Sequence, residues 1–150
     1  MFKPTQNTIF FSLLVVENYH SSETQIRIRY GETDQMGVVY HGNYVQYFEI
    51  GRTDWLRQFG FTYKEMEENG IMLPVISLAV SYKKPAYYDD LITVVTRLKK
   101  RPKASIEFEY EILNEKNEII ATGETALAFI DIARNRPTRC PDYILDQLQI

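Results

Sequence analysis

The chain of 150 residues is 45% hydrophobic and 25% charged, the balance of a single soluble domain that buries roughly 68–70% of its unfolded surface and needs neither disulfide nor metal to fold. Seventeen Lys and Arg against 20 Asp and Glu leave a net charge of -3, which argues against a general nucleic-acid binder with its usual basic excess. One cysteine, Cys140, cannot form an intrachain disulfide, and with only His20 and His41 beside it a zinc site of Cys and His is poorly supplied.

The first apolar run, residues 9–16 (Ile-Phe-Phe-Ser-Leu-Leu-Val-Val), is far short of the roughly 20 residues that span a bilayer. Lys3 is the only basic residue ahead of it, and no small-x-small cleavage site follows it. Residues 1–22 are therefore set apart as an N-terminal extension of unknown role. Residues 23–150 are taken as one domain, expected to be cytoplasmic and not to insert stably in a membrane.

From Glu23 the pattern becomes regular. Ile26, Ile28 and Tyr30 alternate with Gln25, Arg27 and Arg29, which predicts a strand with one buried face. Gly31, Gly37 and Gly42 mark residues 31–42 as a loop. Asn43 is placed to cap a helix over 44–59 that ends at Gly60. Tyr44, Phe48, Gly51, Trp55 and Phe59 then share one face, flanked by Val45, Arg52 and Leu56. Gly51 costs such a helix up to about 1 kcal/mol relative to Ala, and close approach to a neighbouring layer would account for it. The spacing of Thr62 and Glu65 opens a second, shorter helix, stopped by Gly70.

Strands follow. Residues 72–83 place Ile76, Leu78, Val80 and Tyr82 on one side, and Ile92, Val94, Thr96 and Leu98 come next. The basic turn Lys99-Lys100-Arg101-Pro102-Lys103 leads to Ile106, Phe108, Tyr110 and Ile112, which alternate with Glu107, Glu109 and Glu111. A hairpin turn at 114–117 precedes a long last strand over 118–132, and Pro141 opens a short terminal helix as its first residue. One long helix among strands joined mostly by hairpins predicts an α+β domain, the helix lying across a curved antiparallel five-stranded sheet.

Chemistry concentrates in residues 29–44, where a carboxylate (Asp34), a glycine-bent loop and a helix N-terminus come together. The unpaired N–H groups of a first helical turn favour negative charge and suit a developing oxyanion. A carboxylate beside them can attack a carbonyl or activate water. A thiolate departs without a general acid, so one carboxylate and one oxyanion donor suffice for a thioester and not for an amide. The competing reading of Asp34 is a turn-forming or capping carboxylate.

The run Tyr30-x-Glu32-Thr33-Asp34-x-x-Gly37-Val38-Val39-Tyr40-His41-x-Asn43-Tyr44-x-x-Tyr47-Phe48-Glu49-x-x-Arg52, with Tyr82-x-x-Pro85-Ala86-x-Tyr88-Asp89-Asp90 downstream, resembles the hotdog-fold acyl-CoA thioesterases. Within them it looks most like the 4-hydroxybenzoyl-CoA thioesterase-like group, which includes the acyl-CoA thioesterases linked to the Tol-Pal system. The resemblance covers about residues 25–135 and departs at Glu32, where Asp is common. It implies a long helix wrapped by the sheet, and hydrolysis of acyl-CoA with Asp34 as nucleophile or general base. The backbone N–H at His41 would polarise the thioester carbonyl, and Gly37 would let the loop bend toward the acyl group. Val39, Tyr40, Asn43 and Glu49 take substrate-binding positions. Glu49 is also the rival catalytic carboxylate, because another hotdog clade uses one on this helix; the bland alternative is an ion pair with Arg52 or a partner chain.

The resemblance further implies a homodimer or homotetramer with sites shared between chains. No metal or organic cofactor is expected, coenzyme A being part of the substrate. Two other functions remain open: a thioesterase for acyl-carrier protein, and a non-catalytic acyl-CoA-binding module. The basic turn reads as a solvated hairpin or as an attractor of coenzyme A phosphates.

Overall fold

The structure is a computed structural model and describes residues 20–150; the apolar run at 9–16 lies outside the described residues. Strand β1 (Ser21–Arg27) leads through the loop to helix α1 (Asn43–Gln58) and helix α2 (Tyr63–Glu68). Then come β2 (Ile71–Met72), β3 (Val75–Tyr82), β4 (Leu91–Leu98), β5 (Ser105–Leu113), β6 (Ile119–Ala128), β7 (Ile130–Asp131), β8 (Arg136–Pro137) and helix α3 (Asp142–Leu148). Five strands form one sheet in the order β1-β4-β5-β6-β3, every pair antiparallel. The fold is the expected α+β hotdog arrangement, with α1 across the sheet. A second sheet, β2-β7-β8, is new: it divides the strand predicted over 72–83 at Leu73-Pro74 and the last predicted strand at Phe129.

The core lies between α1 and the sheet. Tyr44, Tyr47, Phe48, Trp55 and Leu56 meet Ile92, Val94, Ile106, Phe108, Tyr110 and Ile112, all buried. Gly51 carries the close approach that its position implied. A Cβ there would stand 2.6 Å from Oγ1 of Thr96 and 2.8 Å from Cγ1 of Val94. Val45, expected on the flank of the apolar face, is exposed instead, because the sheet does not reach that side of the helix. Arg52 is buried and donates to the hydroxyls of Tyr63 (2.7 Å) and Tyr110 (3.1 Å). It is therefore no partner for Glu49. Burial pushes both phenols up, so they stay neutral against the guanidinium.

The expected acidic stripe of β5 is laced by cations, Arg97 to Glu111 and Lys100 to Glu107, with Lys99 reaching Glu124 of β6. Thr62 Oγ1 accepts the Glu65 N–H at 3.1 Å, as the capping spacing implied. The terminal helix starts one residue later than expected, with Pro141 at its N-cap.

Two features of the sheet bear on the site. Register puts the ends of β1 and β3 and the starts of β4 and β6 at one end: Arg27 faces Leu91, and Tyr82 faces Ala121. The β4–β5 hairpin with its basic turn lies at the other end. The edge strand β3, Val-Ile-Ser-Leu-Ala-Val-Ser-Tyr, carries no charge. Leu78 and Tyr82 are exposed even though they lie on the helix-bearing face, because the axis of α1 runs closest to β1 and β4 and reaches β3 through the ring of Tyr44 against Tyr82.

Candidate active site

The loop after β1 is built by its own backbone. Tyr30–Glu32 form one turn of 3-10 helix, so Tyr30 is not the last inward residue of a strand but is 78% exposed. Glu32, in contrast, is buried. Its carboxylate accepts the Arg29 N–H at 2.7 Å, and its carbonyl accepts from the Tyr40 N–H (3.0 Å) and from Nδ2 of Asn43 (2.7 Å). The acidic residue at which the chain departs from the resembled pattern is thus a brace for the loop. Thr33 bridges Val39, and the Asp34 N–H donates to the Val38 carbonyl at 2.8 Å. The chain therefore runs out to residue 34 and back beside itself, with Gly37 at φ +78° making the reversal that an L side chain resists. Downstream, the Pro85–Asp90 corner clamps this loop. The Val39 N–H donates to Ala86 at 2.8 Å, the Ile28 N–H to Asp90 at 2.9 Å and the Asp89 N–H to Ile28 at 3.0 Å.

Asp34 is half-buried at the tip of this reversal. Its Oδ1 accepts the Met36 N–H at 2.8 Å, so the turn-forming role is present. Among the described residues its other carboxylate oxygen has no hydrogen-bond partner. The returning arm climbs from Val38 to His41 in three residues, at most about 10 Å of chain.

At the helix start the structure corrects the cap. Gly42 is the N-cap and makes no side-chain bond, while Asn43 is the first helical residue and spends its amide on Glu32. Asn43 is therefore a tie between loop and helix. The Tyr40 carbonyl accepts the Asn43 N–H at 2.9 Å. The two ends of a planar trans peptide point opposite ways, so the His41 N–H of that peptide faces away from the helix body. Among the described residues neither the His41 nor the Gly42 N–H has a backbone acceptor, as the orphan donors of a helix start require.

The rings gather around these donors. Tyr40 lies 4.3 Å from the His41 ring, and Tyr82 stands edge-on to Tyr44 at 5.1 Å. The hydroxyl of Tyr82 donates to the His41 carbonyl at 2.8 Å. Nothing in the sequence pattern showed that bond, because its partners lie 41 residues apart. Val39 is buried in the core, which leaves Tyr40 as the exposed side chain of the pair. Beneath them Tyr47 is fully buried, and burial first, then the Glu32 carboxylate, push its phenol up. Glu49 sits six residues into α1, about 9 Å along the axis from Asn43. It lines an outward cleft of about 400 Å³ with Gln46, Ile50 and Asp54.

Among the described residues, surface clefts of about 400 to 610 Å³ open elsewhere on the domain, lined by other residues than Asp34, Gly37 and His41. Beside these residues lies the uncovered inner face of β3. At the far end of the sheet a cleft of about 610 Å³ gathers Arg101, Lys103 and Arg139 with Asp142. Cys140 on its wall is buried, and burial pushes its thiol up to about 11, which makes it a poor nucleophile. Among the described residues no three His, Cys, Asp or Glu are grouped to hold a metal, and no helix is long and apolar enough to cross a membrane.

Comparison with known proteins agrees with this architecture. The model of the thioesterase-like superfamily matches residues 28–148. The acyl-CoA thioesterase YbgC of Haemophilus influenzae is 34% identical over 121 residues, which cover 79% of this chain and 88% of that protein. The acyl-CoA thioester hydrolase YbgC of Escherichia coli O157:H7 is 28% identical over 83% of this chain and 92% of its own. Among solved structures, the DHNA-CoA thioesterase of Staphylococcus aureus superposes with a TM-score of 0.79 at 42% identity, covering 86% of this chain and 87% of that one. A hotdog fold, a superfamily match spanning nearly every described residue and these identities together place the chain in the thioesterase-like superfamily.

Proposed function

We propose that this thioesterase hydrolyses acyl-CoA to the free acid and coenzyme A in the cytoplasm, with Asp34 as the reacting carboxylate and no metal or organic cofactor. The observation that carries the reading is the pairing, on one short reversal of chain, of a carboxylate oxygen and two donor N–H groups that have no hydrogen-bond partner among the described residues. If Asp34 attacks, its oxygen bonds to the acyl carbon, the carbonyl electrons move to oxygen against the His41 N–H, and the C–S bond breaks to release the thiolate. Water then cleaves the acyl anhydride, regenerating the carboxylate. If Asp34 acts as base, it takes a proton from water, and the hydroxide makes the same attack. Either route places the negative charge before the helix start, where preorganised donors act most strongly. Tyr40 and the inner face of β3 would border the acyl group, with Gly37 giving the loop its close approach.

In the same reading the protein is a dimer, or a pair of dimers, joined along β3. An uncharged, apolar edge with unpaired backbone groups is what a second copy satisfies. Pairing β3 with its two-fold mate would cover Leu78, Val80 and Tyr82 and close the acyl slot. Val80→Lys sets a charge in that seam and is expected to give monomers by sedimentation velocity, with lost activity. A variant that remains oligomeric with full activity sinks the edge-to-edge assembly.

Antiparallel pairing also turns the partner's far end toward each Asp34 loop. The partner's β5 start is then three strand spacings from β3, about 15 Å. The Arg101, Lys103 and Arg139 cleft would thereby receive the phosphates of a coenzyme whose thioester sits across the seam. Lys99 and Lys100 would contribute less, being ion-paired. The triple Ser variant at Arg101, Lys103 and Arg139 is expected to raise the acyl-CoA KM severalfold in low salt, with kcat kept and the difference shrinking in high salt. An unchanged KM in low salt overturns this placement. A carrier-protein substrate would present acidic surface to the same cations, so parallel assays with acyl-carrier protein separate the two carriers.

A further inference from the structure

We infer that Tyr82 is a positioning residue for the hydrolysis: its hydroxyl locks the His41–Gly42 peptide at the helix start in the orientation that keeps the Gly42 N–H, the second donor beside that of His41, and not the His41 carbonyl, facing the oxyanion. This rests on the reading of Asp34 and the helix start given above.

A Cβ at Gly42 would stand 2.7 Å from Cε1 of Tyr40, whose exposed ring packs on His41. Glycine removes the steric barrier that holds most peptides in place, so the unit between residues 41 and 42 rotates at little cost. A rotation of that unit would exchange its two ends. The Gly42 N–H would leave the donor side and the His41 carbonyl would take its place, setting a partial negative charge against the developing oxyanion. The peptide before it is held by the bond from the Asn43 N–H to the Tyr40 carbonyl. Among the described residues, the hydrogen bond on the His41 carbonyl is the 2.8 Å donation from the Tyr82 hydroxyl.

Tyr82 is well placed to act as a fixed post. It is the last residue of β3, in register with Ala121 of β6. Its ring is braced edge-on by Tyr44, which is buried. The next two residues bind the sheet again, the Lys83 and Lys84 N–H groups both donating to Ile120. Donation into a carbonyl also polarises the peptide and strengthens its own N–H as a donor. The tyrosine hydroxyl therefore acts twice on one peptide unit, through orientation and through charge. It also links the edge strand, where a second copy would pair, to the donor peptide.

The test is Tyr82→Phe, which keeps the ring and its packing and removes only the hydroxyl. Steady-state hydrolysis of acyl-CoA is expected to show kcat lowered about tenfold, less than the loss of a direct oxyanion donor. KM should stay within a factor of two and the thermal midpoint close to that of the unmodified protein. Acyl-CoA affinity, measured by calorimetry on Tyr82→Phe/Asp34→Asn against Asp34→Asn, should be unchanged, because the hydroxyl acts on the transition state and not on ground-state binding. Tyr82→Leu, which also loses the ring, should lower both kcat and the thermal midpoint. Unchanged kcat in Tyr82→Phe, or a fall that merely follows a lower midpoint or weaker binding, overturns the positioning role. Asp34→Asn read alone separates the two ideas: if it keeps its activity, the reading of the site fails, whereas loss there with an unaffected Tyr82→Phe defeats only the lock.

Discussion

Replacing Asp34 with Asn is expected to lower kcat on acyl-CoA about a thousandfold or more while leaving the fold intact. Asparagine keeps the side-chain oxygen that accepts the Met36 N–H at 2.8 Å, so the loop retains its turn. It loses the charged oxygen needed either to attack the acyl carbon or to deprotonate water, and such groups supply roughly 10²–10⁴ in rate. Initial rates of thiol release from short, long and aromatic acyl-CoAs, with the mutant and unmodified protein side by side, decide the matter. Near-normal rates in the mutant on the best substrate would remove Asp34 from the chemistry. Glu49→Gln is the control, and its rate should remain within a few-fold, since Glu49 opens onto an outward cleft. If Glu49→Gln instead abolishes turnover and Asp34→Asn does not, the helix carboxylate takes the role.

The second large effect concerns stability. Gly123→Ala is expected to destabilise the protein by about 3 kcal/mol, the upper part of the range for an added methyl in a packed core. Strand glycine is ordinarily a weakness, and alanine would gain something by stiffening the unfolded chain. Here that gain loses to sterics. Gly123 faces the ring of Phe48, which is fully buried and stacked on Tyr110 at 4.4 Å, and a Cβ would also meet the Ala79 carbonyl oxygen at 2.9 Å. Neither neighbour is the free end of a flexible chain. Phe48 cannot retreat without unpacking Tyr110, which also bonds Arg52 and Thr125. A thermal midpoint lowered by roughly 10 °C is the expected reading. A midpoint within 2 °C of the original would show that Phe48 yields more easily than its packing implies.

Much of this molecule is legible along the chain because its determinants are local. The alternation in β5 fixes which side chains meet the helix. The apolar face of α1 follows from 3.6-residue spacing, and Gly51 on that face signals the close approach to Thr96 and Val94. The glycine at 37 and the carboxylate at 34 announce a bent loop with an acid on it, and the motif around them resembles one family strongly enough to give the fold. Local rules misplace what longer contacts settle. Tyr30 continues an alternating pattern, yet the 3-10 turn braced by Glu32 carries it outward. Asn43 has the side chain of a cap, yet it lies inside the first turn with its amide N–H donating to the Glu32 carbonyl, and Gly42 holds the cap position.

The class of fold, the loop that bears Asp34 and the helix start behind it can be read along the chain, since each rests on residues within a few positions of one another. Folding adds that β3 is an uncovered edge, that Arg52 answers two tyrosines instead of Glu49, that the basic turn lies at the opposite end of the sheet from Asp34, and that Tyr82 holds the His41 carbonyl. Each of these depends on strand order or on a contact across many residues. Hydrophobic periodicity says which face of a strand is buried but is blind to which strand stands beside it.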